Sequence, residues 1–183
     1  MPPLFMDHTQ LSAADIKNAI RNVPDFPKPG IQFKDITPLL ADARLFAASI
    51  DLLTANFKPG SVDAVVGIDA RGFIFAAAAA LKLHAGFIPV RKKGKLPFNT
   101  IEQSYELEYG SNTIAIHTDA IHRGMRVLLV DDLLATGGTA EAAALLLEKG
   151  GAEILEINFL IELSFLNGRD KLKRFSIRSL VTY

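Results

Sequence analysis

The sequence contains no cysteine and no tryptophan. The first absence excludes disulfides, thiolate nucleophiles and cysteine-based metal sites, and is compatible with a cytoplasmic location. Neither sign of charge is in excess: 20 Lys and Arg balance 20 Asp and Glu, for a formal net charge of zero. Bulk charge therefore points away from nonspecific nucleic-acid binding. No apolar run approaches membrane-spanning length. A basic segment followed by an apolar one is missing at the N-terminus, so no secretory signal is expected. The four histidines, His8, His84, His117 and His122, lack metal-ligand spacing. There is no internal repeat and no low-complexity linker. With 49% hydrophobic and 22% charged residues in a chain of 183, the expectation is one soluble globular domain over residues 1–183.

The most informative stretch runs from Arg126 to Thr139. Arg126 to Val130 is an apolar, β-branched run that reads as a buried parallel strand. Asp131 and Asp132 sit where that strand should end, and Thr136, Gly137, Gly138 and Thr139 form a small-residue turn. Ala140 to Lys149, rich in Ala, Leu and Glu, reads as a helix. Strand, acidic pair, small-residue loop and helix together build an anion site at the edge of a parallel sheet. The glycines allow close backbone approach, and the amides at the helix start and the Thr hydroxyls supply donors. The carboxylates repel a phosphate, so they serve another part of the same ligand, such as sugar hydroxyls or a magnesium ion. Solvating a strand end is the plain alternative for the pair. No Lys follows the second glycine, so this is not a Walker loop. The Rossmann glycine fingerprint is also missing, which argues against a dinucleotide.

Elsewhere, Ser12 to Asn22 reads as a helix opened by a capping-box-like Ser12 and Asp15. Pro24, Pro27 and Pro29 impose an extended segment ending at Gly30. Ala43 to Asn56 and Gly72 to Leu83 read as helices. Val62 to Ile68, Gly86 to Val90, Thr113 to Asp119 and Glu153 to Leu163 read as strands. The small residues Ala76 to Ala80 suit a helix lying close to a sheet. Lys92 to Tyr109 is polar, with Pro97, Asn99 and Ser104, and reads as a long loop of the kind that is functional or disordered. Gly168 to Phe175 is a short closing segment. The alternation predicts an α/β fold, a parallel twisted sheet with helices on both faces.

Asp69-Ala70-Arg71-Gly72 follows a buried strand and opens a helix. Arg71 there suits a bidentate grip on paired phosphate oxygens; a surface Arg paired with Asp69 is the alternative. Arg91, Lys92, Lys93 and Lys95 form a dense basic cluster, either a solvated loop or an electrostatic aid to an anionic ligand.

Val127 to Thr139 resembles the 5-phosphoribosyl 1-pyrophosphate (PRPP) motif of the type I phosphoribosyltransferases. Phe26 to Ile36 resembles the base-binding segment of the members that act on adenine, and Val66 to Phe73 their pyrophosphate loop. Arg91 to Pro97 and Tyr105 to Gly110 resemble their mobile active-site loop. All four segments occur in the family's order and span most of the chain from Phe26 onward. The motif around Asp131 alone identifies only the superfamily; the combination is much more specific.

The resemblance implies a Rossmann-like sheet, a small N-terminal purine-binding hood over residues 1–40 and a loop over residues 92–112 that covers the site. It implies a cytoplasmic purine-salvage enzyme, a homodimer, that joins adenine to PRPP to give AMP and pyrophosphate, with no nucleic-acid or membrane partner. Magnesium is expected on the substrate, with no dedicated metal ligands in the protein. On this basis Asp131 and Asp132 hold the ribose hydroxyls, and Ala135, Thr136, Gly137, Gly138 and Thr139 cradle the ribose phosphate. Asp69, Ala70, Arg71, Arg91, Lys92 and Lys95 serve the pyrophosphate, partly across a dimer interface. A cis peptide is implied between Asp69 and Ala70. Gln32, Phe33, Lys34 and Leu133 bind adenine: Phe33 stacks on it, Leu133 covers the opposite face, and Gln32 reads it through backbone groups. Lys34 departs from the Arg found in many members; it is a point charge where Arg is a planar fork. Glu108, with Arg71, is the expected catalytic residue, its carboxylate handling the imidazole proton of the base.

Two alternatives are weaker. Another purine or pyrimidine phosphoribosyltransferase fits poorly with the segments around Phe33 and Tyr105 to Gly110. A regulator that keeps the fold as a PRPP sensor needs a DNA-binding module, for which the short stretch before Ser12 is not expected to suffice.

Overall fold

The computed structural model describes residues 11–106 and 111–183. The chain divides into two compact units, Met1–Leu52 and Leu53–Tyr183.

In the first unit, α1 (Ala13–Ala19) opens with a capping box. The Ser12 amide donates to Asp15 Oδ2 at 2.8 Å, and the Asp15 amide returns a 3.4 Å bond to Ser12 Oγ. The helix stops short of the expected Asn22, because Ile20 turns extended and its amide caps Lys17. Arg21–Pro24 forms β1, antiparallel to β2 (Gln32–Asp35). The proline-rich segment between them, expected to be simply extended, is a hairpin turn. It carries a cis Phe26–Pro27 bond, and the Gly30 amide donates to Asp25 Oδ1 at 2.7 Å. Phe26 and Phe33 meet edge to face at 5.1 Å. Two helices follow, α2 (Thr37–Ala41) and α3 (Ala43–Leu53). Asp42 accepts from the amides of Arg44 and Leu45 at 2.8 and 3.0 Å, which anchors the start of α3.

The second unit is built on β3 (Ala64–Ile68), α4 (Gly72–Leu83), β4 (Gly86–Lys92), β5 (Thr100–Glu106), β6 (Ser111–His117), β7 (Arg126–Leu134), α5 (Gly138–Lys149), β8 (Glu153–Glu162) and β9 (Ile177–Thr182). Seven strands form one sheet in the order β5-β6-β4-β3-β7-β8-β9. The five strands from β4 to β9 in that order are parallel. The expected parallel sheet is thus its heart, and β6 and β5 extend it antiparallel at one edge.

Strand β3 is buried throughout and β7 and β8 over most of their length, as apolar runs covered on both faces should be. Val66, Ile68 and Leu129 pack with Ala143, Leu146 and Leu147 of α5 in one core cluster. On α4, Ala76 and Ala79 are fully buried, and the helix packs on β3 and β7. The small residues thus set a close helix–sheet distance, as the Ala76 to Ala80 run implied.

Two sequence expectations need correction here. The segment from Lys92 to Tyr109 is not one long loop. Thr100–Glu106 pairs residue by residue with β6, from Thr100 against His117 to Glu106 against Ser111. Its polar, alternating composition is that of an edge strand with one solvated face. Strand β7 also does not end at Val130. It continues through Asp131 and Asp132 to Leu134, in register with β8 as far as Glu162.

Candidate active site

Strands β3 and β7 are parallel neighbours, so the loops leaving their C-terminal ends lie side by side. Between them opens a cleft of about 290 Å³. One wall is Ile68, Asp69, Ala70 and Arg71; the other runs from Asp131 to Ala140. This is where open parallel sheets bind ligands. Both loops lead directly into helices, α4 and α5, and neither helix start is closed by a side-chain cap. The first amides of each helix have no partner within the helix, so both present donors to the cleft.

The β7–α5 loop is shaped by contacts that local sequence does not announce. Gly137 has φ 80°, the left-handed region. A Cβ on Gly137 would run into the carbonyl oxygen of Gly168, and one on Gly168 into that of Ala135. The loop therefore rests directly on a short 3₁₀ segment, Gly168–Leu172, that follows β8. Helix α5 begins at Gly138, two residues before the expected Ala140, so Gly138 and Thr139 lie in its first turn. The Thr139 hydroxyl is 3.1 Å from that of Tyr105 on β5. Neither Gly168 nor this Tyr105 contact was picked out from sequence. Each lies about thirty residues from the loop along the chain, with no spacing rule to link them.

The acidic pair is deep in the cleft. Asp132 is nearly fully buried, and the Arg71 guanidinium closes on its carboxylate in an ion pair. Asp131 accepts from the Asp132 amide at 2.9 Å. Gly72, the first residue of α4, passes so near that a Cβ would strike the Asp131 carboxylate. Burial raises the pKa of Asp131 well above its ordinary value, and the charge of Asp132 raises it further. Burial also raises that of Asp132, against the opposing pull of Arg71. Two neighbouring carboxylates held with raised pKa values, one of them paired with Arg71, are the kind of perturbed charges common in functional clefts.

The peptide between Asp69 and Ala70 is cis. Asp69 accepts from Arg91 Nε at 3.1 Å, and Arg91 Nη1 reaches the carbonyl of Lys95 at the same distance. Arg91 thus links the Asp69 loop to the basic turn after β4. Lys92, the last residue of β4, and Lys95, on that turn, are exposed and are not among the residues lining the cleft. Leu133 does line it. Gln32, Phe33 and Lys34 form β2 in the first unit, with Gln32 exposed and the other two half-buried. Lys34 Nζ donates to Asn22 Oδ1 across the hairpin at 2.5 Å, and burial lowers its pKa. Glu108 falls outside the described residues. Among the described residues, no three His, Cys, Asp or Glu side chains converge as a metal site, and no helix is long and apolar enough to cross a membrane.

A cleft with a glycine-rich loop at a helix start, an acidic pair and an opposed arginine at the ends of parallel strands has the layout of a phosphoribosyltransferase-type site. The family model for the phosphoribosyl transferase domain matches residues 32–176. An adenine phosphoribosyltransferase of Acidothermus cellulolyticus is 55% identical over 181 residues, covering 99% of both chains. The solved adenine phosphoribosyltransferase of Thermoanaerobacter pseudethanolicus superposes with TM-score 0.90 at 50% identity, over 94% of this chain and all of that one. That of Saccharomyces cerevisiae, solved with adenine and an imino-altritol bisphosphate, gives 0.87 at 43% identity, over 92% and 97%. The chain belongs to the adenine phosphoribosyltransferase family.

Proposed function

We propose that the protein transfers the phosphoribosyl group of PRPP to adenine, releasing AMP and pyrophosphate, in purine salvage. The observation that carries this reading is the single cleft that unites the acidic pair, the Ala135 to Thr139 loop and the Asp69 to Arg71 loop. One ligand with a phosphate, a diol and a pyrophosphate satisfies all three. In this reading the amides and hydroxyls of Ala135, Thr136, Gly137, Gly138 and Thr139 hold the ribose phosphate. Asp131 and Asp132 accept from the ribose hydroxyls, and Arg71, Asp69 and Ala70 take the pyrophosphate. Arg91, Lys92 and Lys95 add positive charge on that side. A ligand-borne cation and two hydroxyl donors would relieve the repulsion within the carboxylate pair, which is the physical reason for placing both carboxylates together.

The donor set fits magnesium brought in by its ligand. A hard cation prefers oxygen donors and readily shares them with phosphates. The ion would be held by pyrophosphate and ribose hydroxyl oxygens, with Asp131 and Asp132 behind those hydroxyls, and when bound it supplies neutralisation of the departing pyrophosphate.

For the base, Phe33 offers an aromatic face and Leu133 an apolar one. The backbone N–H and C=O of Gln32 complement adenine's ring acceptor and amino donor and mismatch a carbonyl at that position. Lys34 stands beside them as a point charge. Glu108 accepts or stabilises the imidazole proton as the base nitrogen attacks the anomeric carbon. Positioning and charge stabilisation then supply most of the catalysis of an oxocarbenium-like displacement, with no covalent nucleophile. Residues 1–40 act as a purine hood and residues 92–112 as a cover that excludes water. A homodimer is the proposed assembly, supported by exposed apolar side chains at Ile74 and Leu81 on α4 and Phe87 on β4. The proposed location is the cytoplasm.

The direct test is product analysis with adenine, PRPP and magnesium. AMP and pyrophosphate should appear in equal amounts, and chelation should abolish the reaction. Release of free ribose phosphate without AMP would contradict the reading.

A further inference from the structure

Thr139 lines the cleft; Tyr105, whose hydroxyl lies 3.1 Å from it, does not. Tyr105 sits next to the last residue of β5, the edge strand of the sheet, and its ring packs on the apolar core. A Cβ added at Gly138 would come within 3.5 Å of the ring's Cδ2, so the ring lies along the first turn of α5. The neighbours Ser104 and Glu106 are exposed. The tyrosine is therefore the inward residue at the end of β5, with an apolar body on the core and a polar tip on Thr139.

A threonine hydroxyl has one proton and two lone pairs. To hold a phosphate it must donate that proton to a phosphate oxygen, which leaves its oxygen to accept. As arranged in the structure the Thr139 hydroxyl donates to the Tyr105 oxygen. Both hydroxyls rotate, so when Thr139 gives its proton to a phosphate, the Tyr105 O–H turns to donate to it. Donation then runs one way, from Tyr105 to Thr139 to the phosphate, and each bond polarises the next.

We propose that Tyr105 is a positioning residue for the phosphate-monoester end of the ligand: its hydroxyl fixes the Thr139 hydroxyl as a donor and ties strand β5 to the occupied loop. This rests on the reading of Ala135 to Thr139 as the phosphate cradle. The pyrophosphate end, assigned to the Asp69 to Arg71 loop, should not feel the contact.

Calorimetry on the full chain, with ribose 5-phosphate and separately with magnesium pyrophosphate, tests this. Tyr105→Phe should bind ribose 5-phosphate about two- to tenfold more weakly, the range of one neutral hydrogen bond, while pyrophosphate binding stays the same. In steady state, KM for PRPP should rise by the same factor with kcat and KM for adenine little moved. In a Thr139→Val background, Tyr105→Phe should add no further loss. Unaltered ribose 5-phosphate binding by Tyr105→Phe overturns the proposal. So does equal weakening of both ligands with a lowered Tm, which would mark a packing role only. A wild-type chain that binds pyrophosphate but not ribose 5-phosphate overturns the phosphate-cradle reading itself, and the proposal with it.

Discussion

At the scale of residues, Asp131 and Asp132 show what sequence can and cannot tell. Their identity, their adjacency and the loop behind them were readable, and so was their place at the C-terminal side of a buried strand. Their burial was not, because it comes from Gly72 crossing over Asp131 and from Arg71 folding onto Asp132, each about sixty residues away along the chain. That burial changes the expected behaviour of substitutions. Each folded-state pKa lies above its unfolded value, so the folded chain binds more protons than the unfolded chain across that window. The pair therefore lowers stability as pH rises past the ordinary carboxylate value of 3.8. Asp63 acts in the opposite sense: hydrogen bonds from Arg126 hold its pKa down to about 2, so its contribution is present above 3.8 and lost as pH falls from 3.8 through about 2. Asp131→Asn keeps the acceptor for the Asp132 amide and removes one buried charge. Its Tm at neutral pH should equal or exceed that of the wild type in calorimetric melting. The double variant Asp131→Asn/Asp132→Asn should lose PRPP affinity, at roughly 1.5–3 kcal/mol for each charge-assisted bond removed. Near-normal PRPP affinity in titration calorimetry would remove the pair from the site.

At the scale of elements, the buried parallel strands and α4 were legible because their patterns are local. Helix α4 keeps the sequence-read bounds, Gly72 to Leu83. The elements that were missed or misread depend on partners. Gln32–Asp35 and Ile177–Thr182 are short strands at sheet edges, and Thr100–Glu106 alternates polar residues behind Pro97 and Asn99. Each is a strand because another strand lies beside it, which single-sequence periodicity does not see. The Ala135 to Thr139 loop carries the same lesson. Its glycines were readable as an anion cradle, but the reason Gly137 must be glycine is the Gly168 carbonyl pressed against it. Gly137→Ala should therefore cost more than the roughly 1–2 kcal/mol of left-handed strain alone. It should lower Tm and weaken ribose 5-phosphate binding together, because the loop must lift off Gly168 to make room. A stable Gly137→Ala variant with unchanged phosphate binding would show that the loop is more adaptable than its packing suggests.

At the scale of the whole molecule, the chain pairs a seven-stranded unit that carries the cleft with a first unit that carries the Phe26 to Ile36 segment. The seven-stranded unit carries the cleft to which the phosphoribosyl half of the reaction is assigned, and the motif at Val127 to Thr139 that lines it was readable in the sequence. The choice of base is assigned to Gln32, Phe33 and Lys34 on a hairpin whose pattern reads as an extended, proline-rich stretch, and whose role comes from the resemblance of Phe26 to Ile36 to a base-binding segment. The central claim, transfer of a phosphoribosyl group to adenine in particular, is tested most directly by specificity constants for adenine, hypoxanthine and guanine with PRPP and magnesium. Adenine should exceed the other two by several orders of magnitude, since a site built around a hydrogen-bond pattern rejects a mismatched partner by about 10⁴–10⁵. Equal kcat/KM for hypoxanthine would contradict the assignment of the base while leaving the fold and the proposed PRPP cleft in place.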